Sequence, residues 1–392
     1  MPAGMGIGGE FDNDLLDDPR RLEATDTGGL LRAAATAGAQ VRSTTAAAAE
    51  ADLAQLRGDR PRALVLLTRP GAAPAAAPLL LALLGPSCPV PVVTTRSVPM
   101  WVGALDVVLA STTDPGDREL AEGIDRAVRR GAQVVLTAPA DGPVAAAAAG
   151  RAVLLVPRIE VPPTLTLPRA LTAGLLVLDT LKLLETDTEA LAGELDREAE
   201  RNYVAHESLV NPAKALALRL QGRTPLLWGT DPVATAVAGH CAGALAAHAG
   251  VVAHAAGFPE AAALPVLRQE ASRAGSEADL FDDPFEESFG DQSGHRMPAM
   301  RPVLLGVPTP YAAARYQAER AAALEALPGA DPVTADEELM VHHDDPGAAT
   351  FAAAVLALRF DFAALYLGLG RGLLGGPGWV SWTGALGPQL ND

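Results

Sequence analysis

Ser111, Thr113, Asp114 and Asp117 stand close together in the stretch ASTTDPGDREL, directly after the apolar run Asp106 to Leu109 and ahead of a helical pattern. An apolar strand, a turn of small hydroxyl residues and a helix N-terminus form a phosphate cradle, because unpaired N–H groups and the helix dipole both favour an anion there. The two aspartates place carboxylates where that anion would sit. Asp is also a preferred N-cap and Pro a preferred first helical residue. Asp114-Pro115 therefore predicts a helix starting at Pro115, with a cap standing where the cradle was.

The elements that must hold this turn lie on either side of it. From Ala63 to Pro157, short runs of buried-strand character alternate with helical ones, the pattern of a parallel sheet covered by helices. The strand candidates are ALVLL from Ala63, VPVVTT from Val90, DVVLAS from Asp106, AQVVLTA from Ala132 and AVLLVP from Ala152. Leu120, Ile124 and Val128 form one apolar stripe, and Gly131 supplies a left-handed stop. The stretch LPRALTAGLLVLDTLKLLETDTEALAGELDREAERN reads as long helices, and a second unit opens near PLLWGTDP. Its strand candidates are PLLWG from Pro225, AGVVAHA from Ala249 and RPVLLGVP from Arg301. The expected fold class is α/β: two doubly wound three-layer αβα units with parallel sheets, and extra helices at the N-terminus, between the units and at the C-terminus. The expected divisions are a helical extension over 1–60, a first unit over 61–185, and a second over 186–392 that carries an acidic loop at 270–300.

Composition narrows the partners. The 392 residues are 49% hydrophobic, with a formal net charge of -17 and a pI of about 4.8. Nucleic acid and anionic membrane surfaces both call for a basic face, so neither is expected as a partner. No run reads as long and apolar enough to span a bilayer, and the N-terminus lacks a basic stretch followed by an apolar one, so a cytoplasmic location is expected. Cys88 and Cys241 lie far apart, which suggests neither a disulfide framework nor a zinc cluster. MGIGG has no strand before it and reads poorly as a dinucleotide loop. His342, His343, Asp344 and Asp345 have the residue types of a metal site, but adjacent histidines point apart and DDPG reads as a turn. No metal or cofactor is expected. Ser43, Thr44, Thr45 and Ser208 lack acid and base partners at a recognisable spacing, so hydrolase chemistry is not indicated. Phe281, Phe285 and Phe289 in the acidic loop form either an anchoring face for a partner or loosely packed aromatics.

The two units with strand-end hydroxyls resemble the sugar isomerase (SIS) fold. More narrowly, the order of segments resembles the bifunctional glucose-6-phosphate and mannose-6-phosphate isomerases. The resemblance rests on VPVVTTRSVPMWVGALDVVLASTTDPGDRELAEGIDRAVRRGAQVVLTAP, VPRIEVPPTLTLPRALTAGL, WGTDPVATAVAGHCAGALAAHAG with GFPE, and DFAALYLGLGRG. It implies a homodimer that moves a proton between C1 and C2 of a hexose phosphate through an enediol. Such chemistry takes hydroxyls and N–H groups for the phosphate, a carboxylate base, an acid that opens the ring and a cation for the enediolate.

Carried over residue by residue, the resemblance gives Ser111 and Thr113 as phosphate hydroxyls, with the third hydroxyl position on Gly116. Thr68 and Arg69 fall on the other phosphate-side loop, whose serine position is Ala72; Arg69 is read either as a compensating cation or as a solvated loop arginine. Arg169, in Pro168-Arg169, matches the catalytic arginine. The proton-shuttling glutamate position is Ala247, the ring-opening histidine position is Ala263, and the C-terminal lysine falls near Gly384 and Ala385. Glu260 and His248 are the neighbours that would substitute. Three readings follow: a sugar-phosphate-binding pseudoenzyme with a regulatory or partner role beside a sugar-nucleotide pathway enzyme, an active aldose-ketose isomerase using displaced residues, and a ligand-free scaffold. The first is favoured, with a hexose phosphate or related anionic carbohydrate as ligand.

Overall fold

The computed structural model describes residues 11–58, 60–69, 74–273, 299–307, 313–335 and 347–374. Most of the acidic loop with its three phenylalanines, the His342 to Asp345 stretch, Ala72, Gly384 and Ala385 lie outside these residues. Contacts divide the chain into two units, one of Glu23–Val204 and one that joins residues 11–22 to Ala205–Leu374.

The first unit is built on five parallel strands, β1 (Ala63–Leu67), β2 (Val92–Thr95), β3 (Asp106–Ser111), β4 (Gln133–Thr137) and β5 (Val153–Leu155), in the order β2-β1-β3-β4-β5. All of β1 is buried, as expected of a central parallel strand covered on both faces. One face, with Val65, Val108 and Val134, packs on helix Arg118–Arg129 through Leu120, Ile124 and Val128. That helix ends at Gly131, whose φ of 82° is open to glycine and strained for other residues. Helices Ala76–Leu84 and Leu167–Thr180 pack together on the unit's other side, and Ala37–Glu50 and Thr188–Arg201 extend that layer. Ala37–Glu50 was expected in a separate extension and Thr188–Arg201 in the second unit. Ala37–Glu50 packs on Leu167–Thr180 and Thr188–Arg201 packs on Ala37–Glu50, which groups both with the first.

The second unit has four parallel strands, β6 (Thr224–Gly229), β7 (His254–Gly257), β8 (Met300–Gly306) and β9 (Asp331–Thr334), in the order β7-β6-β8-β9. The expected strand at Ala249 begins five residues later, at His254, because the helix Pro232–Ala249 runs through Ala249 and Val252 is exposed. Helix Ala348–Gly370 is buried along its whole length, against Pro232–Ala249 and Pro212–Leu220. It corrects one expectation: by length and composition this helix is apolar enough to cross a membrane. Its burial on every side, with Asp361 bonded to His240 and Arg359 to the Thr334 carbonyl, identifies a core helix. Residues 11–22 join this unit where the Asp12 N–H donates to the Gly370 carbonyl at 2.9 Å and the Ser208 hydroxyl donates to the Asp17 carboxylate at 2.7 Å.

Candidate functional site

In an open parallel sheet, ligands bind beyond the carboxyl ends of the strands, where neighbouring strands send their helices to opposite faces. In the first unit that point lies between β1 and β3. Here β3 is followed by Arg118–Arg129 on one face, while Ala76–Leu84 follows β1 and packs with Leu167–Thr180. Thr68 and Arg69 follow β1, and Ser111 ends β3 opposite Thr137 at the end of β4. Thr68, Ser111 and Thr137 line one small cavity against Ala77, Leu80 and Ala170. Its volume of about 20 Å³ admits a water molecule. Enclosing a drug-sized ligand takes several hundred Å³. The Thr137 hydroxyl is buried with no hydrogen-bond partner among the described residues. Sequence reasoning passed over Thr137; the signal was a hydroxyl closing the apolar run QVVLT, in register with Ser111.

The loop after β3 departs from expectation in one respect. The helix begins at Arg118, not Pro115, and its N-cap is Asp117, whose carboxylate accepts from the Leu120 N–H at 3.0 Å. Asp114 cannot serve, because its Oδ1 accepts from the Gly116 N–H at 2.7 Å inside the Pro115-Gly116 turn. The Thr112 hydroxyl, buried beneath the loop, accepts from the Asp114 N–H at 3.1 Å. Thr113 and Ser111 stay half-buried at the loop's start.

Arg69 is neither a solvated loop arginine nor a cation held open for a phosphate. It is 8% exposed and makes a two-pronged bond to Asp117, with Nε and one terminal nitrogen each 2.8 Å from a carboxylate oxygen. Its other terminal nitrogen donates to Glu119 at 3.0 Å and to the Arg96 carbonyl at 2.8 Å. Burial alone would lower its pKa, but the Asp117 and Glu119 bonds outweigh it and raise the value. Planar, two-pronged contact with an oxyanion is what a guanidinium does best, and here the oxyanion belongs to the protein.

Arg169 is different. It sits in the first turn of Leu167–Thr180, is 7% exposed, and among the described residues donates only to the Ile159 carbonyl, at 3.3 Å. No carboxylate among the described residues pairs with it. Burial brings its pKa down to about 10, so it is still charged at neutral pH. A buried charge without a counter-ion is costly, and an anionic ligand would remove that cost.

The second unit holds the positions where proton transfer would be sought. Ala247 is exposed on helix Pro232–Ala249 and Ala263 is exposed after Phe258–Ala262. His248 turns the other way, into the core, where its Nε2 has no partner among the described residues. Burial lowers its pKa, so the imidazole is neutral. Glu260 is exposed, with its carboxylate close over Gly257, where a Cβ would lie 2.1 Å from Oε2. The two substitutes are therefore not alike: one is sealed from solvent and the other lies in it. Sequence reasoning also missed two buried groups of this unit. Asp231 caps Pro232–Ala249 at the Ala234 N–H (2.8 Å) and also accepts from the Val307 N–H (2.9 Å). His240 bonds to Asp361 at 2.8 Å. Among the described residues, no group of three His, Cys, Asp or Glu side chains is placed to hold a metal ion.

Residues 209–374 match the family model of the bacterial phospho-glucose isomerase C-terminal SIS domain. The match covers less than half of the chain, and over it the chain is similar to that SIS domain. Solved structures share the fold at low identity. A hypothetical protein from Thermus thermophilus superposes with a TM-score of 0.61 at 14% identity, over 93% of this chain and 91% of that one. The C-terminal domain of glucosamine-fructose-6-phosphate aminotransferase from Francisella tularensis gives 0.55 at 10% identity, over 88% and 96%. A candidate phosphosugar isomerase from Silicibacter pomeroyi gives 0.53 at 15% identity, over 87% and 96%. No curated protein sequence matches the chain.

Proposed function

We propose that this chain is a phosphosugar isomerase-family (SIS) protein and a sugar-phosphate-binding pseudoenzyme, with a regulatory or partner role in sugar-phosphate and sugar-nucleotide metabolism, acting as a cytoplasmic homodimer. The observation that carries the binding half is Arg169, a buried guanidinium with no carboxylate among the described residues. Thr68 and Ser111, at neighbouring strand ends, line a cavity with Ala170, the residue after Arg169, and Thr113 lies two residues beyond Ser111. The loss of catalysis rests on Ala247 and Ala263, at the positions where the family resemblance expects the shuttling carboxylate and the ring-opening imidazole. Moving a proton from C2 to C1 takes a base that accepts it and returns it, and a methyl group does neither. Each positioned acid or base supplies on the order of 10² to 10⁴ in rate, so losing two removes most of the acceleration. Neither His248, neutral in the core, nor Glu260, out in solvent, replaces them where they stood.

The test has two measurements. Purified chain is expected to turn over neither fructose 6-phosphate nor mannose 6-phosphate above the background of an Arg169→Ala control. A hexose phosphate is expected to raise the melting temperature of the native chain by mass action, and Arg169→Ala to abolish that rise. Turnover that disappears in Arg169→Ala would establish an active isomerase instead. Absence of any shift with hexose phosphates or sugar nucleotides would leave a scaffold.

A further inference from the structure

Thr137 ends β4 in register with Ser111, which ends β3. Val134 and Leu136 pack on helix Arg118–Arg129, so alternation along the strand turns Thr137 to the other face of the sheet. There it is 1% exposed, and its hydroxyl has no hydrogen-bond partner among the described residues. A buried hydroxyl without a partner lowers stability, and native proteins keep few of them. This one belongs to a residue that lines a cavity of about 20 Å³, room for one water-sized group. Ala77, Ala170 and Ala173 bound the cavity on the helix side, where longer side chains would fill it, and Ser111 bounds it from β3. Residues in register on neighbouring strands lie about 4.8 Å apart, so one oxygen between the two hydroxyls can take a bond of about 2.8 Å from each. Thr68 completes the rim, with its hydroxyl donating to the Thr95 carbonyl at 3.4 Å. Ala170 follows Arg169 in the chain, so a buried guanidinium with no carboxylate among the described residues starts one residue from the cavity wall. Its charge favours an oxygen that carries negative charge over a neutral one.

We infer that Thr137 is a ligand-binding residue: with Ser111 it holds a single phosphoryl oxygen of the bound sugar phosphate, in the cavity at the ends of β3 and β4. This rests on the sugar-phosphate-binding reading, to which it adds the seat of one oxygen and the side chain that specifies it. The phosphorus and the remaining oxygens stay outside the cavity, which admits one water-sized group. A hydroxyl that the fold leaves unpaired at this place is then paired by the ligand.

Valine has the shape of threonine without the hydroxyl, so Thr137→Val removes the donor and keeps the packing. In the full chain, titrated calorimetrically with inorganic phosphate and with glucose 6-phosphate, Thr137→Val is expected to bind both about tenfold more weakly, the loss of one hydrogen bond to a charged group. Its ligand-free melting temperature should stay at or above the native value, because no bond within the protein is lost. Thr137→Ser, which keeps the hydroxyl, should bind as the native chain does. If Thr137→Val does not fold, Thr137→Ser and Thr137→Ala, which differ by the hydroxyl alone, carry the same comparison. Native-like phosphate binding by the variant without the hydroxyl overturns the inference and leaves the earlier reading standing. Weakening confined to glucose 6-phosphate would put a sugar hydroxyl in the seat and overturn it too. So would a melting temperature of Thr137→Val several degrees below native, which would mark the hydroxyl as part of the fold's own bonding. A native chain that binds neither ligand overturns both readings.

Discussion

Asp231 shows how a capping carboxylate becomes a titrating one. It accepts from two backbone N–H groups, which favours its ionised form, yet burial dominates and raises its pKa to about 6. A carboxyl whose pKa rises on folding binds its proton more tightly in the native state, so the native state loses ground as pH climbs from the ordinary 3.8 through about 6. A shift of this size corresponds to about 3 kcal/mol. Asp231→Asn keeps a cap but removes the titration. Urea melts at pH 4.5 and 7 should therefore find the native chain's advantage over the variant smaller at pH 7. An advantage that grows with pH would contradict the assignment. The imidazoles of the same unit oppose each other. Burial would lower the pKa of His240 but Asp361 outweighs it and raises the value, whereas burial prevails at His248 and lowers it.

Among the elements, the close pair of helices in the second unit is the most exacting. A Cβ at Gly368 would lie 2.0 Å from the His248 carbonyl oxygen, a backbone atom that cannot step aside without moving Pro232–Ala249. At Gly174 the Cβ would meet a Leu80 methyl at 2.1 Å, which is a side-chain tip. Alanine itself favours helix over glycine by about 1 kcal/mol, so the two substitutions separate backbone from side-chain contact. Gly368→Ala should destabilise by roughly 2–3 kcal/mol, and Gly174→Ala by clearly less, in chemical denaturation of the full chain. The sequence disclosed elements according to how much of their pattern came from their own side chains. ALVLL and DVVLAS are buried nearly throughout and read as strands, whereas β9, DPVT, buries Val333 alone and went unseen. The strand-end hydroxyls were visible for the same local reason. The capping aspartate was placed three residues early, because Asp114 and Asp117 carry equal local signals and the Pro115-Gly116 turn decides between them. The Arg69 pairing was hidden, since it joins segments 48 residues apart.

At the scale of the whole chain, the two units differ in continuity. Among the described residues the first is a single stretch, Glu23–Val204, with its own core. Expressed alone it should give a cooperative thermal transition; a non-cooperative melt would mean that its core depends on the other unit. The second needs residues 11–22 as well as Ala205–Leu374, tied by the Asp12 N–H to the Gly370 carbonyl and by Ser208 to Asp17. A fragment starting at Ala205 lacks both ties and should melt several degrees lower than the same unit in the full chain.

The helix at Ala348–Gly370 also sets an order of events during synthesis. Pro212–Leu220 and Pro232–Ala249 leave the ribosome more than ninety residues before the helix that covers them begins. Through that interval their apolar faces, and then the greasy Ala348–Gly370 segment itself, are open to chaperones and to one another on neighbouring nascent chains. Crowded translation is therefore a condition that exposes these faces to aggregation.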